Sequence, residues 1–395
     1  MAADGIDGVM PRAVTEPETG EAFAEALAQA SRERLQTVIR GGGTKIGWGR
    51  PPAAVDLVVG TTRLNRLLAH RAGDLTATVQ AGMRLRDLNE ALRGARQWLP
   101  VETAFEGATV GGVVATNDAG PSRHRNGTPR DLTIGVTLAL TDGRLVKAGG
   151  TVVKNVAGYD LGKLVSGSHG TLAGIVDVTF KLVPVPQASS TLLAMYRDPA
   201  RMAGDVATLA ASQVEPAAFD IRMDATAGPT YSVLLRVATS PAATDAQMAT
   251  ARALISGDTT VLTGDTERAL WDDQIEAPWR EGAAVVRLSW LPTNLSEVLR
   301  LLGDLHRSGT PAALHARAMG TGLVRLAGGA RQEAAAIARL RASLTVGHVA
   351  VLRAGADVKA AVDVWGPPRE SDRVALAVKQ MFDPAGMLNA GRGPI

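Results

Sequence analysis

The chain contains no cysteine among its 395 residues. Without thiols the chain cannot form disulfides, use a thiol nucleophile or bind an iron–sulfur cluster through its own thiolates. Aromatic residues are also scarce, at 4% of the sequence, so the cores must rest on alanine, valine and leucine. These absences exclude disulfide-stabilised scaffolds and thiol enzymes.

Long apolar runs and a strong excess of charge are missing as well. No apolar run approaches the ~20 residues that a membrane-spanning helix needs, and the N-terminus lacks the apolar core of a signal peptide. The net charge is only +3, and the small basic cluster of Arg123, His124, Arg125 and Arg130 has no aromatic partners for stacking on bases. We therefore expect a cytoplasmic protein with no membrane span and no nucleic-acid partner.

Glycine, by contrast, is plentiful, and one glycine loop stands directly after a predicted strand that ends at Arg40. The loop reads Gly41, Gly42, Gly43, Thr44, Lys45. Glycines free the backbone to adopt positive φ, and successive amide groups can then form an anion-binding nest. Thr44 and Lys45 add a hydroxyl donor and a positive charge. The pattern predicts a phosphate or diphosphate loop, with a plain turn as the alternative for a single short motif.

Two further glycine clusters follow, at residues 107–120 and 166–174. Gly111 and Gly112 lie in a predicted short helix, where each is unfavourable by ~1 kcal/mol relative to alanine. A ligand passing close to the backbone would explain them, and so would a tight helix–strand contact. The residues alone do not distinguish between a ligand and a tight helix–strand contact.

The hydrophobic pattern predicts an α+β protein with two main parts. Apolar spacing favours a helix over residues 18–34, with a capping box at Thr15–Glu18, and a helical turn at residues 64–68. We place a domain boundary near Gln187, after two prolines. Beyond it, strand-like runs alternate with Ala/Leu-rich helical runs, which predicts a sheet with helices on one face. A last helix is expected over residues 371–381.

Four segments, in this order and spacing, resemble the FAD-binding family named for p-cresol methylhydroxylase and vanillyl-alcohol oxidase. They are Arg40–Lys45 (the family's diphosphate loop), Ala108–Asn117 and Gly167–Ile175 (its second and third flavin-contacting segments), and Asp383–Gly391 (its C-terminal motif, which returns to the flavin ring). The resemblance implies a two-part FAD-binding domain with two α/β subdomains over residues 1–187. It further implies an α+β cap domain with an antiparallel sheet over residues 188–370, and a segment over residues 371–395 that returns to the FAD domain.

The same resemblance implies which residues contact the cofactor. They are Arg40, Gly41, Gly42, Gly43, Thr44, Lys45, Gly107, Thr109, Gly112, Asn117, Gly120, Gly174, Ile175 and Asn389. For the residues after the first loop, a turn or a packing glycine is the alternative role. The first loop has no histidine, which some relatives use to attach FAD covalently, so we expect non-covalent FAD.

Within the family, Val153–Leu164 most resembles the FAD-binding subunits of bacterial glycolate oxidases. That resemblance implies two partners: a larger FAD-binding subunit that oxidises 2-hydroxy acids, and an iron–sulfur subunit. It also implies that any contact with the inner membrane is made through the complex. The larger relatives carry a histidine- and acid-rich metal motif that this chain lacks. Since His306, His315 and His348 are isolated in sequence, no metal site is expected.

Oxidation of a 2-hydroxy acid calls for an arginine to hold the carboxylate and a base to take the hydroxyl proton. Arg287 and Arg325 lie on predicted strands of the second part, and Lys154 and Tyr159 lie just before the third glycine cluster. Each is a candidate catalytic residue, and each arginine has an ordinary surface ion pair as its alternative role. The sequence names no general base.

Three hypotheses about function therefore remain. The first is an FAD subunit that takes part in oxidising glycolate or another 2-hydroxy acid. The second is a non-catalytic flavin subunit of the same complex, which serves structure or electron relay. The third is a stand-alone FAD oxidoreductase with a different substrate.

Overall fold

A computed structural model describes residues 5–151, 158–224 and 228–393 of the chain. Internal contacts divide the chain into two units. The first comprises Met1–Ala119, Asn126–Val185 and Pro368–Ile395, and the second comprises Gly120–Arg125 and Pro186–Pro367. The sequence-based boundaries near residues 187 and 371 did not anticipate that residues 120–125 would group with the second unit.

The first unit contains ten short strands among its described residues, and helices that are mostly brief. Its strands are β1 (Ala13–Thr15), β2 (Thr37–Arg40), β3 (Leu57–Gly60), β4 (Leu67–Arg71), β5 (Thr76–Gln80), β6 (Gln97–Trp98), β7 (Thr133–Ala139), β8 (Leu145–Gly149), β9 (Gly174–Lys181) and β10 (Val183–Pro184). Its helices are α1 (Gly20–Arg32), α2 (Leu85–Leu92), α3 (Val110–Thr116), α5 (Pro129–Leu132), α6 (Leu161–Val165) and α13 (Asp372–Phe382). Most residues of α4 (Arg123–Asn126) group with the second unit.

Two sheets organise this unit within the described ranges. A parallel sheet has the order β1-β3-β2, and a five-stranded antiparallel sheet has the order β4-β5-β9-β7-β8. Helix α1 packs against both, because Phe23 and Leu27 are buried in one cluster with Val59 of the first sheet and Val176 of the second. This arrangement places the loops after β2 and before α3 and β9 close to one another.

Two local predictions in this unit were wrong. The predicted capping box at Thr15–Glu18 does not form, because Thr15 belongs to β1 and Thr19 is the N-cap, whose side chain accepts a hydrogen bond from the Ala22 amide at 3.1 Å. The predicted helical turn at residues 64–68 is replaced by β4, which pairs antiparallel with β5. The leucine spacing there suited a helix, but pairing with the neighbouring strand overrides local spacing.

The second unit alternates strands with longer helices. Its strands are β11 (Ala188–Tyr196), β12 (Ala218–Asp224), β13 (Thr230–Thr239), β14 (Asp258–Leu262), β15 (Ala284–Ser289), β16 (Ala312–Arg317), β17 (Thr321–Leu326) and β18 (His348–Arg353). Its helices are α7 (Pro199–Ala210), α8 (Pro241–Ala253), α9 (Gly264–Glu276), α10 (Leu295–Arg307), α11 (Ala330–Ala342) and α12 (Ala356–Ala361).

Within the described residues these strands form one eight-stranded sheet of order β14-β11-β13-β12-β16-β17-β15-β18, antiparallel throughout. One face is apolar and packs against α7, α8, α10 and α11 in a single core. The other face carries both polar and apolar side chains and is covered in part by α9, through Gln274 and Trp271. The predicted α+β class, with an antiparallel sheet in the second part, is confirmed.

No helix in the described part of the chain combines the length and the apolar character needed to cross a bilayer.

Candidate functional site

Three glycine segments and the C-terminal segment meet at one cleft in the first unit. The cleft encloses about 830 Å³ of space, its open mouth included. Its lining comprises Ile39, Arg40, Gly41, Gly42, Gly43, Thr44, Lys45, Ile46, Trp48, Thr61, Ala81, Thr109, Gly111, Gly112, Ala115, Thr116, His169, Gly170, Ala173, Ile175, Asn389 and Arg392. Residues that are hundreds of positions apart in sequence therefore line one continuous surface.

The first glycine loop needs its glycines for two different reasons. Among the three, Gly43 has the positive φ, +71°, which favours a residue without a side chain. At Gly41 an added Cβ would collide with Thr109 Oγ1, and at Gly42 with the carbonyl oxygen of Gly107. The sequence predicted conformational freedom throughout the loop, whereas two of the three glycines permit close contact with the second segment.

The amide groups of this loop are available to a ligand. No described residue accepts a hydrogen bond from the amide of Gly42, Gly43 or Thr44, although the Gly43 carbonyl accepts one from the Ile46 amide at 3.1 Å. Gly43 and Thr44 are half-buried and Gly42 is exposed, and amides that lack a protein acceptor are normally satisfied by water or by a ligand. Successive amides of this kind suit an anion such as a phosphate.

Lys45 lies in the lining, but its charge is already paired. Its ammonium lies 3.0 Å from Asp118 Oδ2, and its side chain is only 6% exposed. Asp118 is held in turn by the Thr103 hydroxyl at 2.8 Å. The ammonium also lies 5.2 Å and 5.8 Å from the ring centroids of Phe105 and Trp48. The predicted role of Lys45 as a cation for the diphosphate stays a prediction, and the ion pair with Asp118 competes with it.

In the second segment, the structure tests whether Gly111 and Gly112 accommodate a ligand or a tight helix–strand contact. A Cβ at Gly111 would lie 2.7 Å from Ala81 Cβ, so Gly111 permits the predicted close helix–strand contact. The Gly111 amide donates to the Ala81 carbonyl at 2.7 Å, and the side chain of Thr109 caps α3 by accepting from Gly112 at 3.4 Å. The first amides of α3 are thus already used within the protein.

The third segment and the C-terminal segment form the opposite part of the lining. The His169 amide donates to the Ala115 carbonyl at 2.8 Å, and Asn389 Nδ2 donates to the His169 carbonyl at 2.8 Å. The Asn389 amide donates to the Thr37 carbonyl at 2.8 Å, beside a short parallel bridge between Thr37 and Leu388. The C-terminal segment is therefore joined both to β2 and to the third glycine turn.

Four of the predicted cofactor residues lie outside this lining. Gly107 lies in an adjoining cleft that shares residues 40–44. Asn117 ends α3 with a left-handed φ of +47°, and its side-chain oxygen accepts from the Arg130 amide at 3.1 Å. Gly174 allows close packing, since a Cβ there would collide with the ring of Phe23. Gly120 groups with the second unit.

The catalytic candidates do not meet at the cleft lining as far as the structure describes them. Tyr159 is 91% exposed, and Lys154 lies outside the described residues. Arg287 and Arg325 lie on the adjacent strands β15 and β17 of the second unit, where Arg325 Nη2 donates to the Glu281 carbonyl at 2.6 Å. Their proposed roles stay predictions.

Sequence reasoning missed several lining residues. Arg392 is 5% exposed and donates from Nη2 to the carbonyls of Ile46 and Trp48. Burial lowers the pKa of its guanidinium, and Asp7 opposes that shift. The one sequence signal was its position directly after the C-terminal motif. His169 and Trp48 gave no signal beyond being close to glycines.

Comparison with known proteins identifies the cleft's domain. Residues 11–149 match the family model described as "FAD binding domain". This part of the chain is therefore similar to FAD-binding domains. FAD is accordingly the cofactor of this protein, as the sequence predicted.

Several curated proteins are similar to part of this chain. It is 34% identical over 212 residues to "Glycolate oxidase subunit GlcD" of Bacillus subtilis (strain 168), covering 53% of this chain and 45% of that protein. It is 36% identical over 180 residues to "Glycolate oxidase subunit GlcE" of Escherichia coli (strain K12), covering 45% and 51%. It is 34% identical over 181 residues to "D-lactate dehydrogenase" of Archaeoglobus fulgidus, covering 45% and 41%. The matches thus span about half the length of these relatives.

A solved structure shares the fold of the FAD-binding chain. The structure titled "alkyldihydroxyacetonephosphate synthase in P1" has a TM-score of 0.68 and 16% sequence identity, and covers 95% of this chain and 76% of that one. At this identity the match concerns architecture alone.

Two features of the cleft fit FAD, namely the amide donors of its first loop and its small or apolar lining residues. Its first loop offers amide donors without acceptors among the described residues, which suits a diphosphate. Much of its remaining lining is small or apolar, including Ile39, Ala81, Ala115, Ala173 and Ile175, which suits flat ring systems.

Proposed function

We propose that this protein is an FAD-dependent oxidoreductase subunit that takes part in oxidising a small 2-hydroxy acid such as glycolate. The observation that carries the proposal is the cleft, where four sequence-distant segments meet and the first loop presents unaccepted amides. The similarity to glycolate oxidase subunits and to a D-lactate dehydrogenase supports this substrate class.

In the proposed complex the residues of the cleft bind and orient the cofactor. The amides of Gly42, Gly43 and Thr44 hold the diphosphate, and the small residues of α3 and the third turn allow the rings to lie close to the backbone. FAD supplies the two-electron oxidation of the CH–OH group when bound. The protein's own residues fix its position and exclude water from its buried side.

The binding is non-covalent, and the electrons leave through a separate subunit. The first proposal follows from the absence of histidine in the first glycine loop, although His169 does line the cleft. Acid precipitation should therefore release all FAD into the supernatant. Yellow colour that stays in the pellet would contradict non-covalent binding and would direct attention to His169.

The second proposal follows from the cysteine-free sequence, which offers no iron–sulfur ligation by thiolates. The expected partners are a larger hydroxy-acid-oxidising flavin subunit and an iron–sulfur subunit, in the cytoplasm or at the inner membrane through the complex. Co-purification of the chain from its native host should recover a cysteine-rich protein in fixed ratio. A chain that purifies alone with full activity would contradict the subunit role.

One observation favours a second candidate function, in which the flavin serves structure or electron relay. None of Tyr159, Arg287 and Arg325 lines the described cleft, so the catalytic residues predicted from the sequence are not brought together there. A visible spectrum decides between these functions. The flavin band should bleach on adding glycolate without oxygen if this flavin meets the substrate, and should persist in the isolated chain if it only relays electrons.

A further inference from the structure

The strongest remaining feature of the first unit is a half-buried lysine that lies next to the cleft without lining it. Lys379 is on α13, and its side chain is 13% exposed. Its ammonium bonds to three acceptors: Asp383 Oδ2, the Thr171 carbonyl at 2.6 Å and the Leu388 carbonyl at 3.0 Å. All three donors of the ammonium are thus used inside the protein.

The two carbonyls belong to the two segments that form one wall of the cleft. Thr171 directly follows Gly170 of the lining, and Leu388 directly precedes Asn389 of the lining. Across the same junction, Asn389 Nδ2 donates to the His169 carbonyl at 2.8 Å. The ammonium and the asparagine amide therefore join the third glycine turn to the C-terminal segment at two neighbouring points.

The backbone at this junction is held in an unusual conformation. His169, Gly170 and Asn389 have φ values of +54°, +70° and +45°. Residues other than glycine adopt left-handed conformations rarely, and such strain persists only where the surroundings fix it. A Cβ at Gly170 would lie 2.6 Å from Asn389 Nδ2, so the two segments approach each other as closely as glycine allows.

The anchor of this junction is an ion pair withdrawn from water. Asp383 has a fully buried side chain and also accepts from the Leu388 amide at 2.8 Å. Burial lowers the pKa of Lys379, and the hydrogen bond and charge of Asp383 oppose that shift. A buried pair of this kind is a costly way to add stability, and apolar residues of similar volume often do as well. A requirement for fixed geometry explains it better.

We propose that Lys379 is a positioning residue for the flavin. Its ammonium fixes the distance between the third glycine turn and the C-terminal segment, and so sets the wall formed by His169, Gly170 and Asn389 against which FAD binds. The proposal rests on FAD binding in this cleft. Through this wall, a residue that does not line the cleft affects cofactor affinity and the environment of the flavin.

The test is the double variant Lys379→Met with Asp383→Asn, which removes the ammonium without leaving a buried carboxylate unpaired. We expect the dissociation constant for FAD to rise at least about tenfold, and the visible circular dichroism of the bound flavin to change. The variant Lys379→Arg, which keeps the charge, should restore much of the affinity. The matched control is Lys359→Met, since Lys359 is a buried lysine of the second unit and should leave both readouts unchanged.

A second variant keeps the test decisive if the double variant fails to fold. Lys379→Gln removes the charge but keeps an amide donor for the Thr171 and Leu388 carbonyls, so it should produce the same two changes more weakly. Unchanged affinity and dichroism in either folded variant would overturn the positioning role. A wild-type protein that binds no FAD in this assay would instead contradict the cofactor site itself, so the two failures are distinguishable.

Discussion

The two units place their polar groups in opposite ways. In the first unit the cleft is lined by backbone, and glycines such as Gly41 and Gly42 are present because neighbouring segments touch them. In the second unit charged side chains stand on a sheet face. Asp220 has a fully buried side chain and pairs with Arg317, and Arg222 pairs with Asp273 at 2.8 Å. The cleft of the first unit presents backbone groups because many of its residues have small side chains or none. The sheet face of the second unit presents the charges of its side chains.

The charged face of the sheet forms one connected network. Asp220 is paired across the strands with Arg317, and Arg222 with His315, so all four share a face. Gln274 of α9 donates to Asp220 Oδ2 at 3.0 Å, accepts from Arg222 Nε at 3.0 Å and bonds to His315 Nδ1 at 3.1 Å. Helix α9 thus contacts the sheet through these polar bonds and through a small apolar cluster that joins Trp271 to Ala218 and Leu234.

Among the variants that test this difference between the units, Gly42→Ala should have the largest effect, which is a loss of FAD affinity. In Gly42→Ala the new Cβ would collide with the Gly107 carbonyl, so the loop must move and FAD affinity should fall by about tenfold or more, equivalent to ~1.4 kcal/mol or more. Flavin content and titration with FAD measure this. The matched control is Gly94→Ala, where a Cβ meets no atom within 4 Å. Full occupancy in Gly42→Ala would refute the backbone site.

The next effect is expected in the second unit. Arg317→Met leaves the buried Asp220 carboxylate without its ion-pair partner, and breaking such a pair costs about 3–5 kcal/mol. Chemical denaturation should show the loss, while FAD titration should change far less than in Gly42→Ala. If Arg317→Met lost FAD but kept its stability, the charged network of the second unit would serve cofactor binding and not stability.

A smaller effect follows from His315, because burial lowers its pKa from 6.5 to about 3. The folded protein keeps this imidazole neutral, whereas the unfolded chain protonates it below pH 6.5. Its contribution to stability is therefore complete above pH 6.5 and is lost as the pH falls towards 3, by up to about 1.4 kcal/mol per pH unit. In His315→Gln the unfolding free energy should vary less steeply with pH over this window. Parallel curves for the two proteins would contradict the buried neutral histidine.

The smallest effect is expected at Lys45, whose charge Asp118 already offsets. The double variant Lys45→Met with Asp118→Asn should weaken FAD binding by less than about tenfold, that is, by under ~1.4 kcal/mol. Isothermal titration with FAD measures the difference. A larger loss would show that the lysine serves the diphosphate, as its position in the sequence first indicated.

The same contrast explains how much the sequence could predict. The glycine segments could be recognised because a backbone site leaves a local signature. The structure places Arg40, the glycines at 41–43, Thr44, Thr109, Gly112, Ile175 and Asn389 in the cleft lining, and their contact with FAD stays a prediction. Gly174 also lies in a glycine-rich segment, but it is a glycine because the ring of Phe23 packs against it. Local sequence cannot say which neighbour a glycine accommodates.

Helix α9 shows why the second unit was harder to predict. Its buried positions are Glu267, Trp271 and Gln274, so the stripe that faces the sheet is mostly polar and no apolar period marks it. Its partners stand on strands that the fold brings together from distant positions. The outer helices α7, α8, α10 and α11 pack apolar stripes against the opposite face, and these were predicted.

The bond between Arg392 and the Ile46 carbonyl spans 346 residues of sequence. During synthesis the first glycine loop leaves the ribosome long before Arg392 and Asn389 are translated, and the whole second unit emerges in between. Contacts of such separation form late because closing a long loop costs chain entropy. The cleft therefore cannot be completed until the second unit has been made, and cofactor capture becomes one of the final events of folding, after translation of most of the chain.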